Sequence, residues 1–401
     1  MVGVAVPGIQ EEVGVEGEAG LAESRNENRA DRSVDGKCPP RLYGGTERIV
    51  SYLTDELVAL GHDVTLFASG DSLTAARLVP CVPTALRLNA CVRDPIPYYM
   101  LMLDRVRQRA DEFDILHFHI DQFQFPMFRS IAARTITTLH GRQDLPDLLP
   151  LYHEFDDMPL VSISNDQRAP VAKANFAATV YHGIPLDLHR PAAPRQTAPL
   201  QGGYVAFLGR IAPDKRPDRA ITIARALGIP LKIAAKVDRM DEAYFRAEIE
   251  PLLDGPGVEF IGEINEDQKT RFLGEARALL FPVDWPEPFG LVMIEAMACG
   301  TPVLAFRCGS VPEIVDDGVT GIIVETVEEA IGALPLVIAL DRKRVRQCFE
   351  RRFPARRMAE DYIDVYRALL ASSKSVAAKP WIAPHRLQTG KDSLVPRQSI
   401  A

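Results

Sequence analysis

The stretch EPFGLVMIEAMACG, residues 287–300, joins an irregular loop to an apolar helix. Pro288 and Gly290 keep the first half irregular, and the pattern predicts a helix over Leu291–Cys299. Glu295 is the one charged residue of that helix, and Leu291 and Cys299 are its neighbours on the helical face. The sequence therefore predicts a buried helix whose start, near Gly290, presents free backbone N–H groups.

Glu295 needs a partner in such a helix. A lone carboxylate on a buried helix is unfavourable unless another group compensates its charge. A ligand that offers hydroxyl groups, such as a ribose, is one suitable partner, and the N–H groups at the helix start would hold a phosphate. The alternative is a helix in which Glu295 pairs with an arginine of the same chain.

Short apolar runs alternate with helical patterns on both sides of this stretch, which favours parallel sheets covered by helices. The spacing of Ile49, Leu53 and Leu57 predicts a helix that Gly61 ends, and Tyr98–Ala110 is predicted as another. Strands are predicted at Val64–Ala68, Ile115–Phe118, Thr135–Leu139, Leu160–Ile163 and Ala178–Tyr181, and then at Tyr204–Leu208, Leu231–Ala235, Val258–Ile261, Ala278–Phe281, Pro302–Ala305 and Ile322–Val324.

The two series of strands predict two consecutive α/β domains, because 401 residues are long for a single core. Residues 1–36 are polar and acidic with few large apolar side chains, and are expected to be disordered or atypical. The other predicted units are an N-terminal Rossmann-like domain at 37–186, a proline-containing linker at 187–202, a C-terminal Rossmann-like domain at 203–354, a helix at 355–372 and a flexible tail at 373–401.

A second motif lies at the first strand of the predicted C-terminal domain. Residues 207–218 read FLGRIAPDKRPD, so that a strand runs into a glycine turn and Arg210 and Lys215 flank the next helix start. Two cations above the strand ends suit a diphosphate leaving group, whose negative charge grows as a glycosidic bond breaks. Lys215 alone would be an ordinary solvated residue, so the interpretation depends on its pairing with Arg210.

Two segments of the predicted N-terminal domain carry weaker signals. Gly44 and Gly45 precede the first long helix and allow close approach of a ligand to the backbone, although a plain loop is the simpler explanation. In DILHFHID, residues 114–121, His117 and His119 lie on one face of a strand, and His119 is nearer the carboxyl end, where open α/β sheets bind ligands. We expect His117 to be a hydrogen-bonded core histidine.

The motif at residues 287–303 resembles a known enzyme family. Glu287 and Glu295 have the E-x7-E spacing of retaining glycosyltransferases of the GT-B type, in which two Rossmann-like domains face each other across a cleft. PFG at 288–290 and EAMACGTPV at 295–303 resemble the most characteristic signature of glycosyltransferase family 4, and the resemblance covers residues 38–370. It implies retaining transfer of a sugar from a nucleotide-sugar donor to an acceptor that the sequence does not name.

The resemblance also implies roles for individual residues. Glu295 would hold the ribose hydroxyls, Glu287 would hold hydroxyls of the transferred sugar, and His119 would contact that sugar at the reacting centre. Arg210 and Lys215 would bind the diphosphate. Further donor contacts would come from Gly44, Gly45, Phe289, Gly290 and Leu291. His140 and Asp121 are candidate acceptor-side residues because each stands at the carboxyl end of a predicted strand.

Charge, cysteine spacing and hydropathy indicate which classes of partner and which localisation to expect. A formal net charge of −8 argues against nucleic acid, which needs a basic stripe. The six cysteines show no metal-ligand spacing, no apolar run approaches the length of a membrane span, and the N-terminus lacks a signal pattern, so we expect a cytoplasmic protein. No Asp-x-Asp motif stands in strand context, and we expect no metal and no cofactor besides the donor.

A cluster of basic residues near the C-terminus has two interpretations. The solvated face of two helices is favoured, because Val345 and Phe349 repeat with the spacing of an inward face. Peripheral contact with a membrane surface is the alternative. The cluster comprises Arg342, Lys343, Arg344, Arg346, Arg351, Arg352, Arg356 and Arg357.

The N-terminus departs from the family pattern, in which a buried strand leads directly into the glycine loop. Here Met1–Val6 stands far before Gly44. Either this segment supplies the strand and a long insertion follows, or the first strand is absent. Two other functions stay open at this stage: a nucleotide-sugar-binding protein without catalysis, and a sugar phosphorylase or epimerase of the same fold.

Overall fold

The computed structural model describes residues 3–6, 44–86, 89, 91–191 and 203–377. The strands in these residues form two sheets, one of seven strands and one of six, and each lies among helices. The prediction of two Rossmann-like α/β domains is therefore confirmed. We call the part built on the first sheet the N-terminal domain and the part built on the second sheet the C-terminal domain.

The elements of the N-terminal domain alternate along the chain. They are β1 (Gly3–Val6), α1 (Gly45–Ala59), β2 (Thr65–Ser69), β3 (Arg77–Val82), α2 (Ile96–Gln108), β4 (Ile115–Phe118), α3 (Phe125–Phe128), β5 (Thr135–Thr138), α4 (Leu148–Glu154), β6 (Leu160–Ser162), α5 (Asn165–Arg168) and β7 (Phe176–Thr179). The strand order is β3-β2-β1-β4-β5-β6-β7. β3 was not predicted, because half-buried and exposed residues alternate irregularly along it.

The elements of the C-terminal domain follow the same alternation. They are β8 (Val205–Ile211), α6 (Pro217–Ala226), β9 (Leu231–Val237), α7 (Glu242–Tyr244), α8 (Glu250–Leu253), β10 (Val258–Gly262), α9 (Glu266–Glu275), β11 (Leu279–Phe281), α10 (Leu291–Ala298), β12 (Val303–Phe306), α11 (Val311–Ile314), β13 (Gly321–Val324), α12 (Val327–Ile338), α13 (Arg342–Arg352) and α14 (Ala355–Ala377). The order β10-β9-β8-β11-β12-β13 is parallel throughout.

β1 shows that the first strand of the N-terminal sheet is present, and its direction corrects the expectation of a parallel sheet. Gly3–Val6 supplies a strand between β2 and β4, so the first sheet has its central strand. That strand runs antiparallel to both neighbours, with Gly3 opposite Phe67 and Phe118, whereas a fully parallel sheet was expected. Residues 7–43 separate β1 from the glycine loop, so no short connection forces the strand to run parallel.

One of the apolar clusters of the described residues contains side chains of both domains. Leu53 of α1, Met293 of α10 and Tyr362 of α14 are fully buried members of the same cluster, which lies between the domains. α14 returns from the C-terminal domain and packs on α1, and the Tyr366 hydroxyl lies 2.8 Å from His117 Nδ1 of β4. Contacts of α14 with α1 and β4 therefore hold the N-terminal and C-terminal domains against each other.

The structure supports the favoured interpretation of the basic cluster in part: Val345 and Phe349 are buried, and Lys343, Arg344, Arg351 and Arg356 are exposed. The other four arginines are half-buried and donate to backbone carbonyl oxygens. Arg342 bonds to Ala276 and Gly274, Arg346 to His189, Ala298 and Leu186, Arg352 to Ile314 and Glu313, and Arg357 to Tyr181 and His182. These arginines stabilise loop and helix ends, because a guanidinium offers several donors in a fixed fork.

The domain boundaries remain predictions, and two segments differ from them. Ala355–Ala377 is helical, so the helix continues past residue 372 into the predicted tail. His189, in the predicted linker, has a fully buried side chain, and its Nδ1 lies 2.8 Å from Thr270 Oγ1. The rest of the linker prediction, residues 192–202, lies outside the described residues, as do residues 7–43 and 378–401.

Candidate active site

A cavity of about 670 Å³ opens between the two domains, at the carboxyl ends of the parallel strands. Side chains and backbone of both domains line it. The structure brings all twelve predicted site residues to this one cavity: Gly44, Gly45, His119, Asp121 and His140 from the N-terminal domain, and Arg210, Lys215, Glu287, Phe289, Gly290, Leu291 and Glu295 from the C-terminal domain.

The start of α10 is fixed by glycine. Gly290 is the residue before the helix and has a φ of 78°, in the left-handed region that favours glycine. A Cβ atom at this position would lie 2.6 Å from Cε of Met293 and 3.1 Å from Cζ of Phe281. Glycine therefore allows the loop to turn sharply into α10, and the helix start borders the cavity as predicted.

The glycine loop meets the same helix start from the opposite domain. α1 begins at Gly45, and a Cβ atom there would lie 3.3 Å from Cδ1 of Leu291. The absence of a side chain thus permits close approach of the loop to α10 across the cleft.

The structure supplies a partner for Glu295 within the chain. The residue is 2% exposed, and its Oε1 accepts a hydrogen bond of 2.6 Å from Arg48 and one of 3.0 Å from Lys269. Arg48 also donates to Oε2 of Glu266 at 3.0 Å, and Nε2 of His189 lies 3.1 Å from Oε1 of Glu266. The alternative of an internal arginine is therefore the observed arrangement, and burial of Glu295 does not by itself indicate a ligand.

Charge in this network is balanced. Burial alone raises the pKa of Glu295, but the positive charges of Lys269 and Arg48 outweigh that effect and hold the pKa well below its usual range. His189, Glu266 and Glu295 place potential ligand atoms within 4.8 Å of one another. Arg48 and Lys269 already neutralise the two carboxylates at this point, so the network needs no divalent cation for its charge balance.

Glu287 is held by two C-terminal-domain side chains. Oε2 accepts a hydrogen bond of 2.9 Å from Nε1 of Trp285 and forms an ion pair with Lys215. The Lys215 ammonium also lies 4.7 Å from the centre of the Trp285 ring. The lysine expected at the diphosphate and the glutamate expected at the sugar therefore contact each other, and both border the cavity.

Arg210 is likewise paired with an acidic residue. It donates to Oδ2 of Asp241 at 2.9 Å, and its other terminal nitrogen lies 3.9 Å from Oδ1 of Asp214. Its side chain is about one third exposed, so it stays accessible from the cavity. A phosphate would bind by replacing carboxylate contacts of this cation.

Four histidines of the N-terminal domain form a row, and three of them, His119, His140 and His182, line the cavity. Ring centres of successive members lie 4.0, 5.2 and 5.3 Å apart in the order His117, His119, His140, His182. The prediction for His117 is confirmed, since its ring nitrogens lie 2.8 Å from the Tyr366 hydroxyl and 2.7 Å from Oγ1 of Thr138.

His119 and His140 act as a pair. Nδ1 of His119 lies 2.9 Å from Nε2 of His140, so one ring donates and the other accepts. Nε2 of His119 is buried and has no hydrogen-bond partner among the described residues. Burial lowers the pKa of His140 to about 3 and holds the pKa of His119 well below its usual range. Both rings are therefore neutral at pH 7.

Asp121 follows β4 on the N-terminal side of the cavity. It has a φ of 54°, which is uncommon for a residue with a side chain, and burial raises its pKa. Tyr99 and Phe123 stand beside it in the lining, with ring centres 5.4 Å apart. This wall therefore combines one carboxyl group with aromatic surface.

Sequence reasoning missed several residues of the site. Arg48, Glu266 and Lys269 form the network at Glu295, and Trp285 orients Glu287. The spacing of Glu266 and Lys269 on one helical face was a visible signal. Arg48 stands four residues after Gly44, among apolar residues of α1, and that position could have drawn attention to it.

No helix in the described part of the chain is both long and apolar enough to span a membrane. Two family models match the sequence. Residues 43–181 match Glycosyltransferase Family 4, and residues 191–348 match Glycosyl transferases group 1.

Curated relatives carry related names. A D-inositol 3-phosphate glycosyltransferase of Saccharomonospora viridis is 31% identical over an alignment of 239 residues, which covers 51% of this chain and 53% of the relative. The enzyme of the same name from Mycolicibacterium smegmatis is 31% identical over an alignment of 337 residues, which covers 70% of this chain and 75% of that protein. The chain spans about half the length of the first of these relatives.

Among solved structures, AviGT4, a glycosyltransferase involved in avilamycin A biosynthesis, superposes with a TM-score of 0.64 at 25% identity, covering 84% of this chain and 93% of that one. The two family models match residues 43–181 and 191–348, and the superposed structure covers 84% of this chain, so both comparisons include most of the described residues. The chain belongs to glycosyltransferase family 4 and has the GT-B fold.

Proposed function

We propose that the chain transfers a glycosyl group from a nucleotide-diphosphate sugar to an acceptor hydroxyl, with retention of the anomeric configuration. One observation carries the proposal. Cations and carboxylates of the C-terminal domain face histidines of the N-terminal domain across a single cavity. Family membership supports the same activity, and so do the names of the relatives.

The donor would be held by the C-terminal domain. Arg210, Lys215 and the start of α10 would bind the diphosphate, because they combine two cations with the backbone N–H groups of a helix start. Glu287, oriented by Trp285, would accept hydrogen bonds from hydroxyls of the transferred sugar. Glu295 would accept them from the ribose. Fixed cations supply the charge that a metal would otherwise provide, so we propose transfer without a metal.

The reaction breaks the bond between the anomeric carbon and the donor phosphate oxygen, and that oxygen keeps the electron pair. The acceptor oxygen forms its bond to the anomeric carbon on the same face. The acceptor proton passes to the departing phosphate oxygen. Arg210 and Lys215 stabilise the charge that develops on this leaving group. His119, kept neutral by burial, offers an uncharged nitrogen to the sugar without competing for the proton.

The acceptor would approach from the N-terminal domain, past His140 and Asp121. A sugar, a lipid-linked molecule or a small molecule fits this side of the cavity. The relatives named D-inositol 3-phosphate glycosyltransferase make D-inositol 3-phosphate the first acceptor to test.

The test measures release of nucleoside diphosphate from UDP-, GDP- and ADP-sugars with and without an acceptor. Lys215→Met is expected to lower the rate by about 10² to 10³-fold, because it removes a fixed charge from the leaving group. Lys232→Met is the matched control, since Lys232 pairs with Glu259 away from the cavity and should leave the rate unchanged. The anomer of the product, read by NMR, tests retention.

Two outcomes would contradict the proposal. Tight donor binding without release of nucleoside diphosphate under any acceptor would make the chain a nucleotide-sugar-binding protein. Turnover that depends on inorganic phosphate would make it a phosphorylase.

A further inference from the structure

Arg48 belongs to the N-terminal domain, yet its strongest contacts lie in the C-terminal domain. It stands in the first turn of α1, and its Nη1 donates to Glu295 at 2.6 Å and to Glu266 at 3.0 Å. Both Arg48 and Glu295 are buried, at 8% and 2% exposure. We propose that Arg48 is a positioning residue of the donor site, which orients the Glu295 carboxylate for the ribose hydroxyls. This inference rests on the proposed function.

The direction of the contacts supports an orienting role. Arg48 and Lys269 both donate to Oε1 of Glu295, at 2.6 and 3.0 Å. The described residues donate no hydrogen bond to Oε2, which leaves that oxygen for a hydroxyl of a ligand in the cavity. A carboxylate that accepts hydrogen bonds from two cations through one oxygen cannot rotate freely, so its second oxygen keeps a fixed direction.

Charge makes Arg48 necessary in addition to Lys269. Glu266 and Glu295 bring two negative charges to the network, and Arg48 and Lys269 bring two positive ones. Without Arg48, a single lysine would have to neutralise both carboxylates. The carboxylates would then separate, or one would take up a proton, and either change alters the group that faces the ribose.

Arg48 also links this network to the glycine loop. Its Nε donates to the carbonyl oxygen of Gly44 at 3.4 Å. The loop that borders the cavity and the carboxylate expected at the ribose are therefore held by one side chain. Consequently nucleoside recognition, although located in the C-terminal domain, depends on the position of the N-terminal domain.

The test compares a ribonucleoside diphosphate with its 2′,3′-dideoxy counterpart by calorimetry, using UDP, GDP and ADP as probes. The wild type is expected to bind the ribonucleotide at least about tenfold more tightly, since hydroxyl bonds to a carboxylate are lost in the dideoxy form. Arg48→Met should bring the ratio of affinities close to one. A purely structural arginine would weaken both ligands equally and leave the ratio unchanged.

Two further variants keep the test decisive. Arg48→Lys retains the positive charge but cannot reproduce the shared guanidinium contact, so it should lower the ratio by at least about threefold; it stands in for Arg48→Met if that protein does not fold. Arg352→Met is the control, because Arg352 bonds to Asp316 and to carbonyls of the C-terminal domain outside the cavity, and should leave the ratio unchanged.

The outcomes separate this inference from the proposed function. If the wild type distinguishes the two nucleotides and the folded Arg48 variants distinguish them equally well, the role of Arg48 is refuted and the proposed function stands. If the wild type binds no nucleoside diphosphate, or does not prefer the ribonucleotide, the proposed donor site is wrong and the inference fails with it.

Discussion

Acidification from about pH 7.5 to about pH 5.5 should destabilise the fold through the row of four buried histidines. Burial lowers the pKa of His117 and of His140 to about 3, and it holds the pKa of His119 and of His182 well below the usual range. In the folded protein these rings therefore stay neutral over the whole of this pH range.

The magnitude follows from proton uptake by the unfolded chain, where each imidazole has a pKa of about 6.5. A group whose folded pKa is lowered takes up a proton only on unfolding, so stability falls once the pH drops below about 6.5. At about pH 5.5, each histidine lowers the free energy of unfolding by about 1.4 kcal/mol, and the four together lower it by about 5 kcal/mol. Carboxyl groups such as Glu295 titrate at lower pH when unfolded and contribute little here.

The assay is urea unfolding followed by circular dichroism at a series of pH values. His140→Gln keeps a polar atom near the position of Nε2, and it should reduce the loss of unfolding free energy at about pH 5.5 by about 1.4 kcal/mol. His153→Gln is the matched control, because His153 is exposed and should not change the pH dependence. An unfolding free energy that stays constant between these pH values would refute the claim that the four buried histidines stay neutral in the folded protein.

Gly309→Ala should abolish most transfer activity and destabilise the protein by more than about 3 kcal/mol. Gly309 has a φ of 56°, which strains a residue with a side chain, and the new Cβ would collide with the backbone of Glu287. Gly318→Ala has a similar φ of 73° with nothing near the new atom, so a loss of about 1 kcal/mol and normal activity are expected in the same thermal-shift and rate measurements. EDTA should leave the transfer rate unchanged, and restoration of a lost rate by Mg²⁺ or Mn²⁺ would contradict transfer without a metal.

Much of the site could be predicted because its residues follow strands or precede helices. His119 stands just beyond β4, Arg210 is the next-to-last residue of β8, and Gly290 stands just before α10. The carboxyl ends of parallel strands share one edge of a sheet, so residues distant in sequence must meet there. The alternation of apolar runs predicted eleven strands without the structure, and it missed β3 and the direction of β1 because neither depends on apolar alternation.

The partners of the site residues were decided only by tertiary structure. Glu295 pairs with Arg48, 247 residues away, and Glu287 pairs with Lys215, 72 residues away. Local patterns cannot encode such pairs, because the first depends on how the two domains pack and the second on how separate segments of the C-terminal domain meet.

The sequence by itself thus determined two α/β domains, the helix start at Gly290 and twelve of the residues that line the cleft. The tertiary structure decided that Glu295 is neutralised inside the chain, that the histidines form one row, and that an arginine of the N-terminal domain holds the carboxylate of the C-terminal one. The physical reason is that helices and strands follow from the periodicity of nearby residues, whereas the compensation of a buried charge depends on whichever opposite charge the packed domains bring within hydrogen-bond distance.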